Sequence, residues 1–175
     1  TGAQTDRMTR DDGWRLLSSG RHIERLGFLA NSLATGFETR SVLSEGGFEA
    51  MIALFDSTIT FHAQYQQSRD VAALLDLLVL DRDNPRSLGW VAQTLRGRLS
   101  KLADSPPDQM SALSQAVPDP QVWELALLCE ADSDNHYPAL MELLGQCRQA
   151  AFTLSDEIGA LYFTHSALPK HSVGA

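Results

Sequence analysis

The chain of 175 residues is short of cysteine, of positive charge and of long apolar runs, and each shortage removes a class of function. Its two cysteines, Cys129 and Cys147, both fall inside helical apolar patterns and lack the paired spacing of a metal site, so they read as reduced core residues rather than a disulfide. Lysine and arginine total 14 against 22 aspartates and glutamates, a formal net charge of −8 with a sequence pI near 5.0. That balance argues against a binder of nucleic acid or of an anionic membrane, since neither polyanion favours an acidic face. A local basic pocket stays open. No run approaches the ~20 apolar residues that span a bilayer, and no signal peptide is visible; together with reduced thiols this points to the cytoplasm. The opening Thr1-Gly2-Ala3, without methionine, reads as a processed piece of a longer chain.

Catalytic signatures are also missing. There is no glycine-rich phosphate loop, no G-x-S-x-G elbow and no H-E-x-x-H, which makes a self-contained nucleotide enzyme an unattractive reading. Di-iron helical bundles need Glu-x-x-His on inward faces, and none of His62, His136, His165 or His171 has a glutamate three positions earlier. Asp132-Ser133-Asp134-Asn135 has the look of a calcium loop but lacks its turn glycine and closing glutamate, so a solvated loop is the better reading. No cofactor and no metal are expected.

What is present is helical periodicity. Hydrophobic residues make up 43% of the chain, enough for one domain with a core. Trp14 to Ala34 reads as one helix. A second is expected from Phe48 to about Tyr65–Ser68, through Met51, Ile52, Phe55, Ile59 and His62. The run AALLDLLVL is too continuous to assign by period, and its leucine and alanine favour helix. Asn84 followed by Pro85 suits an N-cap with proline in the first helical position, opening a helix through Leu88, Val91, Ala92, Leu95, Leu99 and Leu102. The segment from Ser105 to Pro120 is punctuated by SPPD and VPDP around one short helix, and another helix holds Val122 to Leu128. The longest pattern runs from Leu140 through Cys147, Leu154 and Ile158 to Tyr162. Strand alternation does not recur. The expectation is an all-α helical bundle of long antiparallel helices with shorter connecting helices.

Within the first helix, GRHIERL, Gly20 to Leu26, places three charges beside hydrocarbon. Trp14, Leu17, Arg21, Glu24, Arg25 and Phe28 share one stripe of the helical wheel, and Leu16, Gly20, Ile23, Gly27, Ala30 and Leu33 form a second, apolar and small. Two such stripes predict a helix covered on two sides, with the charges buried and therefore in need of partners. Glu24 reaches one arginine on its own helix at i, i+3 or i, i+4. The other guanidinium needs an acid elsewhere or an anionic ligand. Asp76, inside the leucine run, calls for a cation, and Arg21, Arg25 and Arg86 are the candidates. The turn Asn84-Pro85-Arg86 is thus expected against the Arg21–Arg25 turn, with Asp76 or Asp81 neutralising an arginine. His62 and Tyr65 are weaker candidates; His62 reads first as a hydrogen-bonded core histidine, with an acid/base or ligand role as the alternative.

Two strings fit together: MTRDDGW followed by GRHIER, and LLDLLVLDRDNPRSLGW about sixty residues later. In combination, through Asp11, Asp12, Gly13, Trp14, Gly20, Arg21, Glu24 and Arg25, then Tyr65, and then Leu75 to Leu78, Asp81 and Asn84 to Ser87, the chain resembles the alpha-E domain family of bacterial helical domains. The resemblance covers Met8 to His165. It implies full-length relatives built of two related halves, the first opening with its own tryptophan and G-R-x-x-E-R helix. This chain carries one copy, so residues 8–165 look like the second half, with 1–7 and 166–175 as flexible ends. The resemblance also implies a setting beside circularly permuted ATP-grasp ligases and transglutaminase-like peptidases, in peptide ligation or modification. It carries no catalytic residue across.

Two classes of function follow. In the first, the chain is a noncatalytic accessory domain that docks on an ATP-grasp ligase or transglutaminase-like peptidase, or takes a peptide ligand. In the second, it is an enzyme on an anionic or peptide substrate, with Arg21, Arg25 and Arg86 holding the substrate and Glu24, Asp76 or Asp81 as acid or base. The missing nucleophile and phosphate motifs favour the first. A homo-oligomer is compatible with either.

Overall fold

The structure, a computed structural model, describes the backbone of residues 2–102 and 112–173 and the side chains of 13–102 and 112–160. Among them there is no strand. Helix α1 spans Gly2–Glu38 and a 3-10 turn Ser41–Leu43 follows. Then come α2 (Glu45–Leu54), α3 (Thr58–Tyr65) and α4 (Val71–Leu75), which continues into a π-helical turn, Asp76–Leu80. Helix α5 is Leu88–Ser100; a 3-10 turn, Pro120–Val122, and the short α6, Leu125–Leu128, lead to α7, Pro138–Val173.

Helix α1 packs along α7 and against α5. Phe37 meets Tyr137 edge-on at 5.3 Å, a Cβ on Gly27 would stand 3.1 Å from that of Ala151, and Gly20 and Ile23 share a groove with Ser155 and Ile158. Rising numbers on α1 meet falling numbers on α7, so the pair is antiparallel. The absent side chain of Gly27 is what lets the two backbones approach. The core between them is filled by Leu26, Leu29, Ala30 and Leu33 from α1, Val91 and Leu95 from α5, and Leu144, Cys147 and Leu154 from α7, each at most 8% exposed or fully buried. Each large aliphatic side chain so buried contributes about 1.5–3 kcal/mol.

Several local expectations are corrected. The single helix expected from Phe48 to Tyr65 is two, because Asp56 takes a left-handed φ of 49° and buried Ser57 turns its hydroxyl back to the Phe55 carbonyl at 2.9 Å. Asn84 is not the cap of α5; Ser87 is, its Oγ accepting from Trp90 N at 3.0 Å. Asn84 instead turns inward, 8% exposed, where Nδ2 donates to Ser57 Oγ (3.4 Å) and to the Leu77 carbonyl (3.3 Å) while Oδ1 accepts from Arg86 N (3.2 Å). The helix expected over Val122–Leu128 is a 3-10 turn, capped by the Asp119 side chain, followed by the separate α6. The SPPD stretch lies outside the described residues; 112–115 are helical. Helical backbone runs through 2–7 and 166–173.

Candidate functional site

The stripe of α1 that carries the charges faces solvent. Trp14 is 62% exposed, Leu17 56% and Phe28 54%, and Arg21, Glu24 and Arg25 between them are exposed as well. Among the described residues, the side chains of these three charges make no ion pair or hydrogen bond. The expectation of a helix covered on two sides is therefore corrected. The buried side is the opposite one, where Ile23, Leu26, Leu29, Ala30 and Leu33 pack toward α5 and α7. Charges in water need no counter-charge, so the burial argument that demanded partners for Arg21, Glu24 and Arg25 has no force here. Their aliphatic stems lie among exposed apolar side chains, and the whole face is a mixed aromatic, aliphatic and charged patch. A groove of 470 Å³ runs along its edge, floored by Gly13, Gly20 and Gly159 beside Leu16 and Ile158.

The second half of the expected cluster forms elsewhere and without those arginines. The Tyr65 hydroxyl donates to Asp76 Oδ2, at the first residue of the π-helical turn. Desolvation, then the hydrogen bond and charge of Asp76, pushes the Tyr65 phenol up to about 12, so it is a donor and not a base at neutral pH. Asp81 Oδ1 accepts from Asp83 N at 2.9 Å, and its carbonyl accepts from Ser87 Oγ. Asp76, Asp81, Asp83, Arg82 and Gln93 line an acidic cavity of 480 Å³, with Arg82 donating to Gln93 at 3.4 Å. π-Helical turns are frequent at functional sites, though this one also serves to let the Leu77 carbonyl reach Asn84.

Arg86 does not reach the α1 face either. Its Nε donates to Asp56 Oδ2 at 3.1 Å, an exposed pair. Sequence reasoning missed Asp56, whose only signal was a small polar residue next to Ser57 at the end of an apolar stripe. His62 is half-buried and structural in its contacts: Nδ1 lies 2.7 Å from the Gln66 carbonyl and Nε2 3.2 Å from Glu49 Oε2. Both contacts are hydrogen bonds only when both nitrogens carry protons, and both raise the His62 pKa above its ordinary 6.5, the Gln66 bond most.

Asp132, Asp134 and His136 bring donor atoms within 4.8 Å of one another, all exposed. Asp132 Oδ1 accepts backbone N–H bonds from Asp134 and His136 at 2.9 Å each; the His136 bond, then that of Asp134, holds its carboxyl below the usual range. Arg40 donates to the Asp134 carbonyl at 2.5 Å. The cluster reads as a capped turn at the end of α1. Cys129 and Cys147 are both free thiols, and burial pushes Cys147 up to about 12, which makes it an inert packing residue.

The fold and this face define a class: an all-α domain that displays a Glu-Arg motif on the outside of its first helix. Residues 1–163 match the Alpha-E family, described as a predicted alpha-helical domain with a conserved ER motif. The chain belongs to that family, and Glu24-Arg25 is its one Glu-Arg dipeptide. It is 28% identical over 107 residues to uncharacterised proteins of Mycobacterium bovis and of Mycobacterium tuberculosis, a match covering 60% of this chain and 12% of each relative. The chain thus spans about an eighth of the length of those relatives. No solved structure is a significant match. Among the described residues, no helix is long and apolar enough to cross a membrane.

Proposed function

We propose that this domain is a noncatalytic helical accessory module, cytoplasmic in setting, that docks on an ATP-grasp ligase working in peptide ligation or modification. The observation that supports this reading is the exposure of the motif face. Trp14, Leu17 and Phe28 are large, apolar and more than half exposed, a composition that soluble surfaces keep for interfaces. Arg21 and Arg25 flank Glu24 with a surplus of positive charge on a chain of net charge −8, so the partner's contact surface is acidic. Their forked guanidinium groups suit carboxylates.

The partner class comes from the family resemblance, and titration calorimetry with a purified circularly permuted ATP-grasp ligase tests it. The expected result is saturable binding, weakened about tenfold or more by Arg21→Lys or Arg25→Lys, with the melting temperature unchanged. Absence of binding to the ligase, or binding indifferent to both variants, overturns it. A transglutaminase-like peptidase or a carboxylate-bearing peptide that binds where the ligase does not would reassign the partner.

One observation favours a second reading, an enzyme: the cavity of Asp76, Asp81, Asp83 and Arg82 with the Tyr65 hydroxyl at Asp76. Two of its carboxylates are already engaged, Asp76 by the Tyr65 hydroxyl and Asp81 by Asp83 N, and the motif of the family lies on another face. Turnover of ATP or a peptide by the purified domain, abolished by Asp76→Asn without unfolding, would establish it instead.

A further inference from the structure

A separate cavity of 400 Å³ opens between the early part of α1 and the last turns of α5. Its walls carry three cations, Arg15 from α1 with Arg98 and Lys101 from α5 and its C-cap, in a chain where acids outnumber lysine and arginine by 22 to 14. Arg15 and Lys101 are exposed, and among the described residues none of the three pairs with a carboxylate. Two of its lining residues carry buried polar atoms with no hydrogen-bond partner, Ser19 Oγ and Arg98 Nε. Ser19, which lines the cavity, is only 1% exposed.

The Arg98 guanidinium is held in place from two directions. Nη1 donates to Ser18 Oγ at 2.6 Å, and the group lies 5.8 Å from the centroid of the Trp14 ring. Its Nε edge is left without an acceptor. An oriented guanidinium edge, a buried hydroxyl and two flexible cations are what an oxyanion needs: fixed donors and screening charge. Buried donors are ordinarily satisfied, so two orphans on residues that line one cavity mark a missing acceptor. The volume accommodates a small organic anion rather than a lone ion.

We infer that this cavity is an oxyanion-binding site, taking a ligand by a phosphate or carboxylate group that Ser19 Oγ and Arg98 Nε receive and Arg15 and Lys101 flank. The inference does not rest on the docking reading: Trp14 borders both surfaces, but the anion-receiving residues Arg15, Ser19, Arg98 and Lys101 take no part in the docking proposal.

Gly97 supplies the test, since a Cβ placed on it meets nothing within 4 Å. Gly97 lines the cavity, so Gly97→Leu is expected to obstruct it, its Cβ entering without a clash. Calorimetric titration of the full chain with inorganic pyrophosphate and, separately, with citrate is expected to give saturable binding of at least one. Binding falls about tenfold in Ser19→Ala, the loss of one hydrogen bond to a charged group, falls in Lys101→Gln, and disappears in Gly97→Leu, with all three variants folded by circular dichroism. Pyrophosphate without citrate assigns a phosphate ligand, and the reverse a carboxylate. No saturable binding of either anion below ~10 mM, or binding unaltered in both Ser19→Ala and Gly97→Leu, overturns the site.

Discussion

Tyr65 donates its hydroxyl to the Asp76 carboxylate and so ties the last residue of α3 to the first residue of the π-helical turn. Both side chains are half-buried, which makes the bond matter more than a surface contact. Tyr65→Phe keeps the ring against Phe61, 5.1 Å away, but removes the donor. The expected cost is on the order of 1–3 kcal/mol in urea denaturation, the worth of a hydrogen bond to a charged, half-buried group. Asp76→Asn, followed by ultraviolet titration, should bring the phenol midpoint down from about 12 toward the ordinary 10.0, with burial keeping part of the elevation. A phenol that titrates near 10 in the parent chain would contradict the contact.

The exposed motif sets up a contrast between stability and recognition. Arg21→Ala, Glu24→Ala and Arg25→Ala, one at a time, should each change the unfolding free energy by no more than about 0.5 kcal/mol, as exposed sites without partners do. Leu33→Ala on the opposite stripe, where the side chain is fully buried, should cost about 2–5 kcal/mol. Comparable losses at Arg25 and Leu33 would mean that the charged face is covered after all.

Sequence alone discloses α1 and α7 well, because an apolar period sustained over many turns has few alternative readings. It discloses less where one residue's backbone decides. The left-handed φ of Asp56 splits α2 from α3, and nothing in the apolar stripe of Phe48, Ile52 and Phe55 announces it. The Asn84-Pro85 pair carries a cap signature, yet Ser87 three residues on offers an equivalent oxygen and wins, since Asn84 is drawn to the Leu77 carbonyl freed by the π-helical turn. The largest miss lies in α1. A helical wheel groups Trp14, Leu17, Arg21 and Phe28 on one face, but two apolar stripes do not say which is covered; that depends on how many helices arrive, and only α5 and α7 do in quantity. Arg86 pairs with Asp56, at the junction of α2 and α3, and not with Asp76 or Asp81.

Asn84 joins three segments through one amide, and its replacement is expected to be costly for its size. Asn84→Ala strands the Leu77 carbonyl and removes a partner of Ser57 Oγ and of Arg86 N. A loss of about 1–3 kcal/mol follows from one or more unpaired buried groups. Arg86→Ala, which breaks only the exposed pair with Asp56, should cost at most ~1 kcal/mol. Equal effects would show that the arginine, not the amide, organises the turn.

His62 gives the chain a defined pH response. Its folded pKa lies above the ordinary 6.5, chiefly through the Gln66 carbonyl and then through Glu49. The folded state therefore binds the proton more tightly than the unfolded chain. That contribution to stability is fully present below 6.5 and is lost as pH rises through the raised value. Thermal melts across that window should fall with pH in the parent chain and flatten in His62→Gln. A histidine resonance titrating below 6.5 would reverse the sign and refute the pairing.

Two glycines of α5 should respond to the same substitution in opposite directions. A Cβ on Gly89 would stand 2.6 Å from the Val79 carbonyl oxygen and 3.4 Å from that of Leu80, so the helix start is seated directly on the π-helical turn. Those neighbours are backbone and yield little. Gly89→Ala therefore has to push α5 away from the turn, an overpacking cost of about 1–3 kcal/mol that exceeds the ~1 kcal/mol of helix propensity alanine brings. At Gly97 the added methyl meets nothing within 4 Å, and only the propensity gain remains. Gly97→Ala should raise stability by about 0.5–1 kcal/mol, while Gly89→Ala lowers it and, by displacing Asp76–Leu80, also shifts the Tyr65 phenol titration. Stabilisation by both substitutions would show that α5 does not rest on the Val79 carbonyl.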